Sequence, residues 1–129
     1  MKVSLVSIPV ADPAAAHAIY TEQLGFDSVQ FEPDQWLAVV SSPDVSDGPG
    51  LLLEPVAGTF AETYQKSAYE ANLPIMIFES QHVEGEMQRM ADAGVKLRPD
   101  LDRPDYGLTN LFEDGCGNLL MLSQTSSAT

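Results

Sequence analysis

Asp12-Pro-Ala-Ala-Ala-His-Ala-Ile-Tyr-Thr-Glu-Gln-Leu-Gly-Phe26 reads as one helix with both ends marked. The Asp12 carboxylate can accept from the unsatisfied amides of a first turn, and Pro13 stands where a helix best tolerates proline. Ala16, Ile19, Tyr20 and Leu24 recur at helical spacing, and Gly25 suits the left-handed residue that ends a helix. The same pattern returns sixty-nine residues on, where the helix opened by Gln81-His82 stops at Ala93-Gly94-Val95. After each helix come strand-like text, a Gly-x-Gly turn (Gly48-Pro49-Gly50, Gly115-Cys116-Gly117) and a continuous apolar run (Leu51–Glu54, Leu119–Leu122). The chain therefore repeats one unit, and a repeated unit tends to hold its functional site between the copies.

Working outward, Lys2–Pro9 reads as a first strand, Phe26–Phe31 as a second and Gln35–Ser42 as a third that carries Trp36. Pro33-Asp34 is a turn, and 42–50 is a loop rich in Ser, Pro, Asp and Gly. Leu51–Pro55 is a fourth strand, its unbroken apolar run suggesting burial on both faces. Between the copies, Thr59–Asn72 is a connector helix with Phe60, Tyr64, Ala68 and Ala71 as its expected inner stripe and a Thr59/Glu62 capping box. The second copy is expected as strand Pro74–Glu79, helix His82–Ala93, short strand Val95–Arg98, a Pro- and Asp-rich loop, strand Tyr106–Glu113 and strand Asn118–Ser123. The predicted fold class is α+β: one domain over 1–129, with module one at 1–57, connector 58–73, module two 74–124 and a disordered tail after it. Strand-helix-strand-strand-strand occurs twice.

Composition limits the function. With 129 residues and 44% hydrophobic content, the chain can bury one substantial core. The net charge of −13 repels phosphate backbones and anionic surfaces, which argues against nucleic acid and membrane partners. It suits solubility, or a cationic ligand. A strand pattern starting at Val3 leaves no room for a signal peptide, and the single Cys116 cannot form an internal disulfide, so a cytoplasmic location is expected.

Ile8-Pro-Val-Ala-Asp-Pro13 followed by Ala18-Ile-Tyr-Thr-Glu-Gln-Leu-Gly-Phe26, and Phe112-Glu-Asp-Gly-Cys-Gly-Asn-Leu-Leu-Met-Leu122, resemble the opening and closing signatures of the vicinal oxygen chelate superfamily. That superfamily includes glyoxalase I, extradiol dioxygenases and the fosfomycin- and bleomycin-resistance proteins. The resemblance spans residues 2–124 and looks most like the uncharacterised glyoxalase-like branch. It implies two βαβββ modules whose sheets pair into a curved, open barrel-like trough holding ligand or metal. It also implies metal ligands on the first and fourth strand of each module. Counted back from the helix starts and forward from the closing Gly-x-Gly turns, those positions fall on Leu5, Ile75 (or Pro74), Glu54 and Met121, where metal-using members carry His, Gln or Glu. Leu and Ile offer no lone pair and a thioether suits hard cations poorly, so no metal and no other cofactor is expected.

Glu54 is then either the exposed end of a strand or an inward carboxylate whose burial would fit it for general-base work or for a cationic ligand. His17 falls off the apolar stripe of its helix, and His82 occupies a capping position. Cys116 has no basic neighbour in sequence to make it a nucleophile. Trp36 and Tyr106 are expected on equivalent third strands, where either could line an apolar trough. The expected site is therefore Glu54, Met121, Trp36, Tyr106, Leu5 and Ile75. The function read from these residues is a metal-free homodimeric protein holding a cationic or aromatic organic molecule. The alternatives are a lyase, isomerase or dioxygenase-like enzyme using Glu54 as base or a rearranged metal site, and a degenerate module that only dimerises.

Overall fold

In the first copy the marked helix forms where the capping residues place it. The computed structural model describes residues 1–125. Asp12 accepts from the Ala14 amide at 3.0 Å, and helix α1 runs Pro13–Ala18. A wider π-type turn, Ile19–Gln23, extends it to Leu24. Gly25 is left-handed (φ 86°), which lets the Phe26 amide reach back to the Tyr20 carbonyl at 2.9 Å. Around this helix wrap β1 (Leu5–Val10), β2 (Asp27–Glu32), β3 (Leu37–Ser41) and β4 (Gly50–Pro55), in sheet order β1-β4-β3-β2. β1 and β4 run parallel, as a strand-helix-strand crossover requires, while β4, β3 and β2 are antiparallel.

The second copy is shorter than its text suggested. It contains β5 (Met76–Ser80), helix α3 (Val83–Asp92), β6 (Leu111–Glu113) and β7 (Leu119–Gln124), in sheet order β5-β7-β6. The strand expected at Val95–Arg98 contributes only a single bridge, Leu97 to Phe112. The strand expected from Tyr106 starts at Leu111, because Pro99–Leu101 and Pro104–Tyr106 are 3-10 turns. Proline fixes φ and donates no ladder hydrogen bond, and Pro99 and Pro104 both fall in this stretch. Trp36 likewise sits just ahead of β3, in the left-handed region (φ 55°) at the end of the Pro33–Gln35 turn. Each copy thus uses a Pro-Asp 3-10 turn closed by a left-handed residue, Trp36 in one and Gly107 in the other.

The fold is α+β, with two βαβββ-type modules, each built on a mixed sheet, and no closed barrel. Among the described residues no strand ladder joins the two sheets. Instead they share one core: Ile8, Val10, Tyr20, Ala38, Val40 and Leu53 from the first module meet Val83, Met90, Phe112, Leu120 and Leu122 from the second.

A buried polar network fastens the modules. Asp114, 1% exposed, accepts from Tyr20 Oη (2.6 Å), the Cys116 amide (2.7 Å), the Asn118 amide (3.2 Å) and Asn118 Nδ2 (2.8 Å). Asn118 Nδ2 also donates to the Pro9 carbonyl at 2.7 Å. Gln65 of the connector helix α2 (Phe60–Glu70) donates to Pro9 O, Cys116 O and Asn118 Oδ1 at 2.9–3.0 Å. This network reverses the inner stripe expected for α2. Gln65 faces inward, whereas Phe60 and Tyr64 are 91% and 54% exposed. Burying an amide is favourable here because three carbonyl-type acceptors meet it. Residues 126–129, most of the expected tail, lie outside the described residues.

Candidate functional site

Alternation along the strands sorts each sheet into a core face and an open face. In the first sheet, Ile8, Val10, Leu51 and Leu53 turn to the core, so Leu5, Ser7, Leu52 and Glu54 share the other side; the ladder pairs Leu5 with Gly50, Ser7 with Leu52 and Pro9 with Glu54. Val39, which pairs with Leu52, belongs to the same side. In the second sheet, Phe78, Leu120 and Leu122 turn to the core, leaving Ile77, Met121 and Ser123 on the open side. Both open faces point away from the core that the sheets share. Within one chain they are separate surfaces.

This arrangement distributes the six expected site residues. Glu54 is exposed at the end of β4, and no described side chain bonds or pairs with its carboxylate. Leu5, 51% exposed, shares that face but sits at the other end of the ladder, opposite Gly50. Met121 is half-buried on the open face of the other sheet, next to Ile77. Ile75 packs against the core, its amide donating to Leu119 O at 3.0 Å. Trp36 (59% exposed) and Tyr106 (77%) stand in their respective turns, with the Arg103 guanidinium 5.6 Å from the Tyr106 ring centre.

The ladders also revise one pairing of the copies. Val10 and Ser80 each lie two residues before a helix N-cap, and they pair with Pro55 and Gln124. By that register Leu5 matches Ile75, as expected, but Glu54 matches Ser123 and Met121 matches Leu52. Counting from the Gly-x-Gly turns misled because the two are built differently. Gly115 and Gly117 are left-handed (φ 72° and 99°) in a tight turn that Asp114 caps, whereas Gly50 is already the first residue of β4.

The titratable groups suit structure more than catalysis. Burial pushes the Asp114 carboxyl above its ordinary range, opposed by the bonds from Tyr20, Asn118 and the Cys116 amide. Burial foremost, then the Asp114 charge, raises the Tyr20 phenol well above its usual value. The Cys116 thiol is pushed up to about 12 by burial and by Asp114 and Asp12, so it stays a thiol at neutral pH. His17 stacks on Phe31 at 3.9 Å and pairs with Ser28 Oγ at 2.8 Å. The four metal-ligand positions hold one carboxylate and three side chains without a hard donor, which does not fit a divalent ion. Among the described residues no group of three or more His, Cys, Asp or Glu side chains could hold a metal ion.

Two adjoining cavities lie between the modules, of about 330 and 400 Å³, and none of the six residues lines either. Phe26, Phe78, Val45 and Ser42 line both. The loop at 42–50 was legible as a loop, but what packs beneath it depends on contacts across the chain. Among the described residues no helix is long and apolar enough to cross a membrane.

Comparison with known proteins agrees with this architecture. The chain is 35% identical over 127 residues to the uncharacterised protein YurT of Bacillus subtilis (strain 168), covering 96% of this chain and 99% of YurT. The crystal structure of UcmS2 superposes with a TM-score of 0.76 at 22% identity, over 97% of this chain and 98% of UcmS2. That of TnmS3, an antibiotic binding protein from Streptomyces sp. CB03234, does so with a TM-score of 0.69 at 22% identity, over 98% and 97% of the two chains. At that identity the structures show a shared fold. The profile of the Glyoxalase/Bleomycin resistance protein/Dioxygenase superfamily matches residues 2–122, and the chain belongs to that superfamily.

Proposed function

We propose that this protein binds a small organic molecule, without a metal, on the open faces of its sheets, and that it does so as a homodimer. The observation that carries this reading is Glu54, an unpaired carboxylate standing on an open face otherwise formed by Leu5, Leu52, Val39 and Ser7. A charge with no structural partner on an apolar surface suits a ligand with a cationic head and an apolar or aromatic body. Met121 and Ile77 offer a second apolar half-site on the other sheet. A second copy that brings a Glu54 face and a Met121 face together would enclose the ligand and cover both surfaces. Trp36 and Tyr106 would flank such a trough from their turns. The antibiotic-binding neighbour supports the ligand class, since it shows that this fold can serve that task.

The test is Glu54→Gln, which keeps the shape and removes the charge. Ligands would be found by screening organic amines against the purified protein by thermal shift. The variant is expected to bind hits about fivefold or more weakly, the worth of one partly exposed ion pair. Equal affinity of Glu54→Gln and the parent for every hit would refute the role of Glu54.

A further inference from the structure

We propose that the inter-module groove beneath the 42–49 loop is a second binding site, for an amphipathic organic cation. The groove consists of the two adjoining chambers, and each falls in the size range of small-molecule pockets. They adjoin, sharing Phe26, Phe78, Val45, Ile77 and Ser42 as walls. The Phe26 and Phe78 rings lie 5.3 Å apart and tilted by 57°, forming an aromatic wall where β2 begins opposite β5. The 400 Å³ chamber extends over Val6, Leu51 and Met76 and is almost wholly apolar.

The 330 Å³ chamber supplies the charge. Asp44, Glu79, Glu86 and Arg89 line it, three carboxylates against one guanidinium. Arg89 is already committed, donating to Gln23 O at 3.1 Å, Leu24 O at 3.0 Å and Glu86 Oε2 at 3.1 Å. That contact pairs Glu86 as well. Among the described residues the Asp44 carboxylate has no partner, and Glu79 accepts only from Thr125 Oγ1 at 3.1 Å. An apolar chamber opening onto two uncompensated carboxylates fits a molecule with a hydrophobic body and a protonated amine, and disfavours an anion. This site does not rest on the Glu54 reading, because Glu54 lines neither chamber and, of the open-face residues in that reading, the groove shares only Ile77.

Three isosteres test it: 1-naphthylmethylamine, 1-naphthylmethanol and 1-naphthoate, titrated by calorimetry and by amide chemical shifts. The amine is expected to bind about fivefold tighter than the alcohol, and the carboxylate weakest. The double variant Asp44→Asn/Glu79→Gln should bring the amine to the level of the alcohol and leave the alcohol unchanged. Ser42→Phe, at a wall that both chambers share, should abolish the amide shift changes that all three cause around the groove, while Glu54→Gln should leave those groove changes in place. The proposal is overturned if none of the probes binds at millimolar concentration, if all three bind alike, or if the acidic double variant is silent. It is also overturned if Glu54→Gln rather than Ser42→Phe removes binding, a result that would place the amine on the open face. Retained binding here with Glu54→Gln silent for every screened amine would instead remove only the open-face reading.

Discussion

Replacing Tyr20 by Phe removes one oxygen from the network that fastens the modules. The phenol is fully buried, and its hydroxyl donates to Asp114 Oδ2 at 2.6 Å, short enough for a charge-assisted bond. The ring stays in place against Phe26, its centre 5.9 Å away, so packing changes little. Asp114 would retain three donors and lose its fourth. Hydrogen bonds to charged groups contribute about 1.5–3 kcal/mol net, so a loss of about 2 kcal/mol is expected. For a chain of this size that lowers Tm by roughly 6–10 °C.

The pH dependence sharpens the test. Burial raises the Asp114 pKa in the native state, so the native protein holds that proton more tightly than the unfolded chain. The associated stabilisation is complete below the unfolded value, about 4, and is lost as pH rises through the folded value. The Tyr20 bond favours the carboxylate, and its removal raises the native pKa further. The deficit of Tyr20→Phe should therefore be larger at pH 8 than at pH 5. Urea unfolding followed by circular dichroism at the two pH values measures this. A deficit below about 0.5 kcal/mol at both, or one larger at the acidic pH, would refute the reasoning.

Gly117→Ala should destabilise by about 2–3 kcal/mol, because φ 99° strains a side chain and the new Cβ would stand 3.0 Å from Gln65 Nε2. Gly107→Ala, at φ 73° with open space around it, should cost only about 1 kcal/mol by the same urea assay. Excess EDTA should leave Tm unchanged, since the donor set at the family's ligand positions does not fit a metal; a fall of more than about 3 °C would contradict that. Light scattering across micromolar concentrations should give twice the chain's 13.9 kDa mass, and a monomer throughout would count against the enclosed trough.

The first module was readable because its signals are local. Asp12, Pro13 and Gly25 mark a helix through bonds that span two turns or less, and the Leu51–Leu53 run declares a strand, although only its Leu51 and Leu53 face is buried and not both faces as expected. The second module failed where two signals competed. Val95–Arg98 and Tyr106–Glu113 have the composition of strands, but Pro99 and Pro104 set φ and remove donors, and the backbone turns twice before β6 can pair. The α2 stripe failed for a different reason. Phe60 and Tyr64 have the right spacing for a core face, but the burial of Gln65 depends on acceptors 51 to 56 residues away in the chain. Apolar periodicity cannot register that.

The same distinction governs the site. Leu5 and Glu54 lie on different strands, so their common face was implied by the family resemblance, and it is the β1–β4 register that puts them on one side of the sheet. The register between the copies is not local. It was counted from the Gly-x-Gly turns, and only the ladders show that the helix starts are the sounder reference. Farther still from the text lies the groove, whose walls come from Phe26, β5, α3 and the 42–49 loop and whose charge comes from Asp44 and Glu79. No short motif encodes it, because its shape follows from how the modules dock. That docking is held by Tyr20, Asp114, Asn118 and Gln65, so the network and the groove are linked. A variant that loosens the network should disturb the groove before it disturbs the open face of the first sheet. Tyr20→Phe therefore has a second readout: naphthylmethylamine affinity should fall with stability, while ligand binding at Glu54 should hold until the chain unfolds. Equal weakening at both sites would show that the modules do not dock as separate units.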